Sequence, residues 1–208
     1  MRRKTRQIHV GNVAIGGNAP IAVQSMTTTY TRDVASTVAQ IHRLQDVGCE
    51  LVRVAVPEEE DAAALGGIKR QIAIPLIADI HYDHHLALEA IKQGVDCIRI
   101  NPGNLLKKEK GDTSSREAFR EVLAACKERG IAMRIGVNSG SIDALDKTAQ
   151  SMKRVQVRLR DDGVLERTDP AEQRRQEREH LAERMVNKAL EYASWCEEED
   201  YHEFKISL

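Results

Sequence analysis

With 208 residues, 41% of them hydrophobic and 30% charged, the chain has ample material for a packed core and the composition of a soluble globular protein. Its 31 basic residues offset 32 acidic ones, so no overall field draws it to nucleic acid or an anionic membrane, and 3% aromatic content leaves few platforms for stacking bases. No stretch approaches the ~20 apolar residues of a membrane span, and the basic start MRRKTRQIHV lacks the apolar run of a signal peptide, so the cytoplasm is the expected location.

In chain order, IHVGNVAIGG (8–17) predicts a hairpin turning at Gly11-Asn12. IAVQSM (21–26) predicts the first strand of a repeating unit. Val34, Val38, Ile41 and Leu44, at spacings of four and three, predict a helix over 33–47. LVRVAV (51–56) reads as a strand, followed by a helix from Glu58 to Arg70 and a strand at IPLIADI (74–80). A helix over 84–93 leads into CIRI (97–100), and Ser114 and Ser115 are candidate caps for a helix running to Arg129. AMRIGV (132–137), a helix over 172–198 and EFKISL (203–208) complete the series. Gly48, Gly94 and Gly130 each stand between a helix and the next strand, where a left-handed residue ends the last turn.

Strands alternating with helices build a parallel sheet with helical crossovers. A dinucleotide-binding open sheet needs a glycine-rich turn after its first strand, and here that turn reads QSMTTTYTRD. The fold class is therefore α/β, a TIM-type (β/α)8 barrel with an N-terminal hairpin. About six strand–helix units are present where a full barrel takes ~250 residues, so residues 1–208 are expected to form a partial, truncated barrel. Residues 144–183 break the rhythm. A hairpin around Asp161-Asp162-Gly163 and a charged helix starting at Asp169-Pro170 predict a solvated insertion.

Several strands carry a cation at their centre: Arg53 between Val52 and Val54, Arg99 between Ile98 and Ile100, Arg134 between Met133 and Ile135, Lys205 between Phe204 and Ile206. A half-solvated edge strand also shows such alternation. In a barrel, however, strand residues point alternately inward and toward the helices. Isoleucines facing the helices leave Arg99 and Asn101 facing the axis, and the same parity brings in Asp79 with His81, Arg134 with Asn138, and Lys205 with Ser207. One interior arginine fits a structural ion pair with Asp79. Four cations on separate strands, all converging toward the carboxyl-end mouth, instead predict a polyanionic ligand of diphosphate size. His81 is placed to donate a hydrogen bond or shuttle a proton, with Asp79 holding it. His84 and His85 begin a helix and are expected on the surface. The cysteines at 49, 97, 126 and 196 have no metal-ligand spacing, so all four read as structural and no metal site is expected.

The motifs APIAVQSMTTT, LVRVAVP, IPLIADIHYD, IRINPGN, RIGVNSGS and FKISL, in this order, resemble the barrel domain of the 4-hydroxy-3-methylbut-2-enyl diphosphate synthase family over residues 4–143 and 184–208. The resemblance implies an oxidoreductase of isoprenoid biosynthesis that opens 2-C-methyl-D-erythritol 2,4-cyclodiphosphate with two electrons from a 4Fe-4S cluster. It assigns Arg53, Arg99, Arg134 and Lys205 to the substrate's phosphates, and Asp79, His81, Asn101 and Asn138 to polar groups at the mouth. No catalytic residue is assigned. The family's cluster ligands, three cysteines and a glutamate, belong to a C-terminal domain expected to be absent here, which would leave the 208-residue chain inactive alone. Flavodoxin or ferredoxin is the implied electron donor, and the full-length protein the implied homodimer. Two other readings fit a barrel with a polar mouth: a pterin-binding barrel of the dihydropteroate synthase type, and a non-catalytic truncated barrel.

Overall fold

The computed structural model describes residues 4–81, 83–101, 115–139, 157–159, 165–167 and 170–208. Strands β1 (Ile8–Val10) and β2 (Val13–Ile15) form the antiparallel hairpin. There follow β3 (Gln24–Met26), α1 (Val34–Asp46), β4 (Leu51–Val56), α2 (Glu59–Lys69), β5 (Leu76–Ile80), α3 (His84–Lys92) and β6 (Cys97–Ile100). The series continues with α4 (Ser115–Arg129), β7 (Ala132–Gly136), β8 (Val157–Leu159), β9 (Leu165–Arg167), α5 (Pro170–Glu198) and β10 (Phe204–Ser207).

Six strands form one parallel sheet in the order β10-β7-β6-β5-β4-β3. The sheet curls into a half-barrel of the TIM type, with the crossover helices on its outer face. That face is apolar because alternate strand residues are: Val52, Val54, Val56, Leu76, Ala78, Ile80, Ile98, Ile100, Met133 and Ile135 are all buried. Against them pack Ile41 of α1, Leu65 and Ile68 of α2, Ile91 of α3, Phe119 of α4 and Tyr192 of α5. Gly48, Gly94 and Gly130 have φ of +91°, +87° and +63°, so the three helix stops read from the sequence are left-handed turns.

The inner face divides in two. At its amino-terminal end Leu51, Ile77, Cys97 and Ala132 are buried together with Ile8 and Val10, so the hairpin plugs the bottom of the half-barrel. Its turn residue Gly11 has φ +56° and lies so close to Pro75 that an added Cβ would stand 2.9 Å from the ring. Asp79, Arg99, Arg134 and Lys205 lie one inward row above this floor, while Arg53 stands in the row of Ile77 and Cys97.

Three expectations are modified. The first sheet strand is shorter than 21–26: Ile21 and Val23 are exposed, because β3 has a neighbour on one side only and pairing begins at Gln24↔Leu51. The charged helix predicted from Asp169-Pro170 and the helix predicted over 172–198 are one continuous helix starting at Pro170, whose fixed φ suits a first helical position. His84 is buried, not exposed, because α3 turns it toward α4, while His85 is exposed as expected. The arms of the hairpin read around Asp161-Asp162-Gly163 pair antiparallel, and its tip, like Ser114, lies outside the described residues.

The plug makes a stability prediction. Ile8→Ala removes a buried side chain from the floor and should cost about 2–5 kcal/mol in urea unfolding. Ile21→Ala, at a side chain 79% exposed, should change stability by no more than about 0.5 kcal/mol.

Candidate functional site

Register brings the charged residues together. Asp79 pairs with Arg99, Arg99 with Arg134, and Arg134 with Lys205, so four consecutive strands present one row of charged side chains on the inner face. Arg53 pairs with Ile77 and therefore stands one row nearer the strand amino termini than the other cations. Parity alone grouped it with them at the carboxyl ends; in the structure the length of its side chain makes up the difference. Its Nε lies 3.6 Å from Asp79 Oδ2 and donates to Met26 Sδ at 3.2 Å.

Asp79 is the centre of the cluster. Its side chain is only 5% exposed, with Arg99 Nη1 donating to Oδ1 at 3.0 Å and His81 Nε2 3.6 Å from Oδ2. Burial by itself would raise its pKa, yet hydrogen bonding from His81 and the charges of Arg99 and Arg53 together hold the carboxyl below the usual carboxylate range.

Among the described residues, no carboxylate is paired with Arg134 or Lys205 as Asp79 is with Arg99. Arg134 Nη2 donates to the neutral Ser207 Oγ at 2.8 Å. Burial, then the neighbouring Arg53 and Arg99 charges, lower the pKa of Arg134; burial and Arg134 lower that of Lys205. Below them Cys97 is fully buried and its thiol is pushed up to about 12 by desolvation, so it is a neutral part of the floor. Among the described residues the inner-face cluster thus has four cations and one carboxylate in contact with them. An uncompensated cationic face of this kind attracts an anion, and guanidinium forks match phosphate oxygens in particular.

The remaining predicted residues separate. Asn101, one position after β6, is 1% exposed and belongs to the buried rim, and His81 directly follows β5. Asn138 lies two positions beyond β7 and is exposed.

Sequence reading put Ser207 on the inward parity without a role, where its hydroxyl accepts from Arg134, and missed Gly136 and Met26 as site residues. Gly136 is the most informative. An added Cβ there would lie 2.6 Å from Arg99 Nε and 2.9 Å from Nη2, so the glycine is the bed on which the Arg99 guanidinium lies across β7. The sequence signal was a glycine two residues after Arg134 on the inward parity, but its meaning required the β6–β7 register.

The described residues offer no cluster site. All four cysteines are buried free thiols on separate segments, and the thiol of Cys196, like that of Cys97, is pushed up to about 12 by burial. The one group of three metal-ligating side chains that converges contains no cysteine. These residues do not fit a 4Fe-4S cluster, whose thiolate ligands must be deprotonated.

A parallel β/α sheet with helices outside, an apolar plug below and a row of cations above defines a TIM-type barrel domain with an electropositive inner face. The chain belongs to the GcpE TIM-barrel domain family, whose profile matches residues 5–208. It is 44% identical over 207 residues to the 4-hydroxy-3-methylbut-2-en-1-yl diphosphate synthase (flavodoxin) of Acidithiobacillus ferrooxidans, covering 100% of this chain and 47% of that protein. The protein of the same name from Anoxybacillus flavithermus is 55% identical over 148 residues, which are 70% of this chain and 38% of the relative. The chain thus spans about half or less of the length of these curated relatives. Among solved structures, a mandelate oxidase variant overlaps with a TM-score of 0.42 at 15% identity, over 58% of this chain and 45% of that one.

Two predictions follow from the geometry. Gly136→Ala should displace the Arg99 guanidinium and weaken anion binding at least tenfold while the chain stays folded, since alanine suits a strand backbone at least as well as glycine. Isothermal titration with circular dichroism as a fold control checks this. For Asp79, whose pKa is lower folded than unfolded, the unfolded chain takes up the proton first on acidification. Its contribution is complete above the ordinary carboxylate range and is lost as pH falls through the folded pKa. Asp79→Asn should therefore be less stable than wild type at neutral pH, by about 3–5 kcal/mol. Urea unfolding at successively lower pH should show that gap closing.

Proposed function

We propose that this chain supplies the substrate-binding barrel of a 4-hydroxy-3-methylbut-2-en-1-yl diphosphate synthase, an oxidoreductase of isoprenoid biosynthesis acting on 2-C-methyl-D-erythritol 2,4-cyclodiphosphate. The observation that carries this reading is the row Arg99–Arg134–Lys205, aligned by register across three neighbouring strands with the buried acid Asp79 at its end. Two linked phosphates present several anionic oxygens within a few ångströms, and this row offers cations at successive strand spacings of ~4.8 Å. The family match and the relatives' name, which designates a diphosphate product, support a diphosphate ligand at this face.

In this reading Arg53, Arg99, Arg134 and Lys205 hold the phosphates. Asp79 is a positioning residue: it ties Arg99 and Arg53 to fixed places and keeps His81 close by. His81 offers a hydrogen bond to the ligand from the end of β5, and Asn101 and Asn138 supply polar groups beyond the ends of β6 and β7. Burial and, after it, repulsion from neighbouring cations lower the pKa values of Arg134 and Lys205; a bound anion relieves that repulsion, so the ligand should stabilise the fold as well as fill the site.

The family resemblance implies a 4Fe-4S cluster, which would supply electrons for reductive C–O cleavage and for which the described residues offer no ligand set. The relatives' designation names flavodoxin, which we take as the electron donor. The complete enzyme is proposed to work as a cytoplasmic homodimer, with residues 144–183 a charged insertion in the barrel. No helix of the described residues is long and apolar enough to cross a membrane.

Calorimetric titration of the chain with the cyclodiphosphate tests the reading. Saturable binding at one site per chain and a raised melting temperature are expected. Arg99→Lys keeps the charge but loses the planar fork, and should weaken binding by about 1–3 kcal/mol. Absence of heat and of any melting shift at millimolar ligand, with the protein folded, would overturn the proposal.

A further inference from the structure

At the start of α3, away from the cationic row, Asp83, His84 and His85 bring three potential ligand atoms within 4.8 Å of one another. Asp83 caps the helix, its Oδ1 accepting the His85 backbone N–H at 2.8 Å. The same oxygen is hydrogen-bonded to His85 Nδ1 at 3.0 Å through a proton that a bound ion would replace, and lies 3.8 Å from His84 Nδ1. Ligands bound to one ion at ~2.0–2.1 Å in tetrahedral geometry stand about 3.3 Å apart. The two observed separations bracket that value, and the imidazole rings lie 3.9 Å apart, tilted by 41°.

The independent observation comes from another element. His84 is 4% exposed, and its far nitrogen Nε2 lies 3.6 Å from Glu121 Oε2 on α4. A carboxylate facing the outer nitrogen of an imidazole is the arrangement that fixes the tautomer and orientation of a metal-binding histidine. With the proton on Nε2 toward Glu121, the Nδ1 lone pair is available toward Asp83. The positive end of the α3 dipole opposes a cation here, an effect confined to the first turn and weakened by solvent exposure. That is small against coordination by two imidazoles and a carboxylate.

We infer that Asp83, His84 and His85 form a binding site for a divalent transition-metal ion of the zinc class, with Glu121 orienting His84. Nitrogen ligands select against magnesium and calcium, which require oxygen donors. Asp83 and His85 are partly or largely solvent-exposed, so water completes the coordination and the ion exchanges freely. Binding would fasten the beginning of α3 to α4 on the helix layer beside the barrel mouth. The inference is independent of the proposed substrate.

The test is calorimetry of the untagged 208-residue chain with zinc, and cobalt absorption spectroscopy on the same protein. One zinc ion should bind per chain and raise the melting temperature, with magnesium giving no effect. His85→Ala, at an exposed position, should weaken binding at least tenfold without unfolding the chain. Asp83→Asn should also weaken it, although asparagine still caps the helix. Glu121→Gln should reduce affinity by about 10–100-fold. The cobalt spectrum should lack a thiolate charge-transfer band. Zinc affinity unchanged in His85→Ala, a thiolate band, or no zinc binding at millimolar concentration would each overturn the site, whether or not His84→Ala folds.

Discussion

A single buried carboxylate, Asp79, holds the inner face of this half-barrel in order. It accepts a hydrogen bond from Arg99 on β6, faces Arg53 on β4, and lies beside His81 at the end of its own strand. Burying a carboxylate is costly unless it is paired and hydrogen-bonded, and burying several guanidinium groups together is costly for the same reason. Placing one acid among them offsets part of both costs. It also leaves the row incompletely neutralised toward β10, where Arg134 and Lys205 face each other and a serine hydroxyl. The charge imbalance is therefore directional, and it is concentrated where a ligand's phosphates would contribute most.

Such a face requires a separate source of stability. Two apolar layers provide it. The outer side of the sheet packs against the five helices of the described residues in the usual manner of a β/α barrel, while the lower inner side is filled by the β1–β2 hairpin. The hairpin relieves the barrel interior of the need to supply its own packing at the amino-terminal end. Side chains above that floor are then free to be polar. Floor and site meet at Cys97, whose neutral thiol lies directly beneath the cations without adding a charge of its own.

Gly136 and Met26 show how ordinary residues shape the charged ones. Gly136 gives the Arg99 guanidinium a place to lie across the neighbouring strand, and Met26 offers a soft acceptor to Arg53 from the edge of the sheet. Neither carries charge. Both determine where charge is delivered.

Much of the architecture was legible from the chain itself. Period-two strands, helical spacing and glycine stops are local properties, and strands β4 and β6 have the bounds that their β-branched runs predicted. The inward parity of Arg99, Asp79, Arg134 and Lys205 was legible too, because side-chain alternation is set by the strand backbone. Register was not: it depends on how neighbouring strands slide against one another, which placed Arg53 one row below its expected companions and made Gly136 the bed of Arg99. Helix rotation was equally hidden, and it buried His84 against Glu121 while leaving His85 in solvent. The sequence by itself determined the elements and which face each strand residue takes, because those follow from local sterics and spacing. Only the tertiary structure decided which side chains meet, because contacts between distant segments depend on packing that no local pattern encodes.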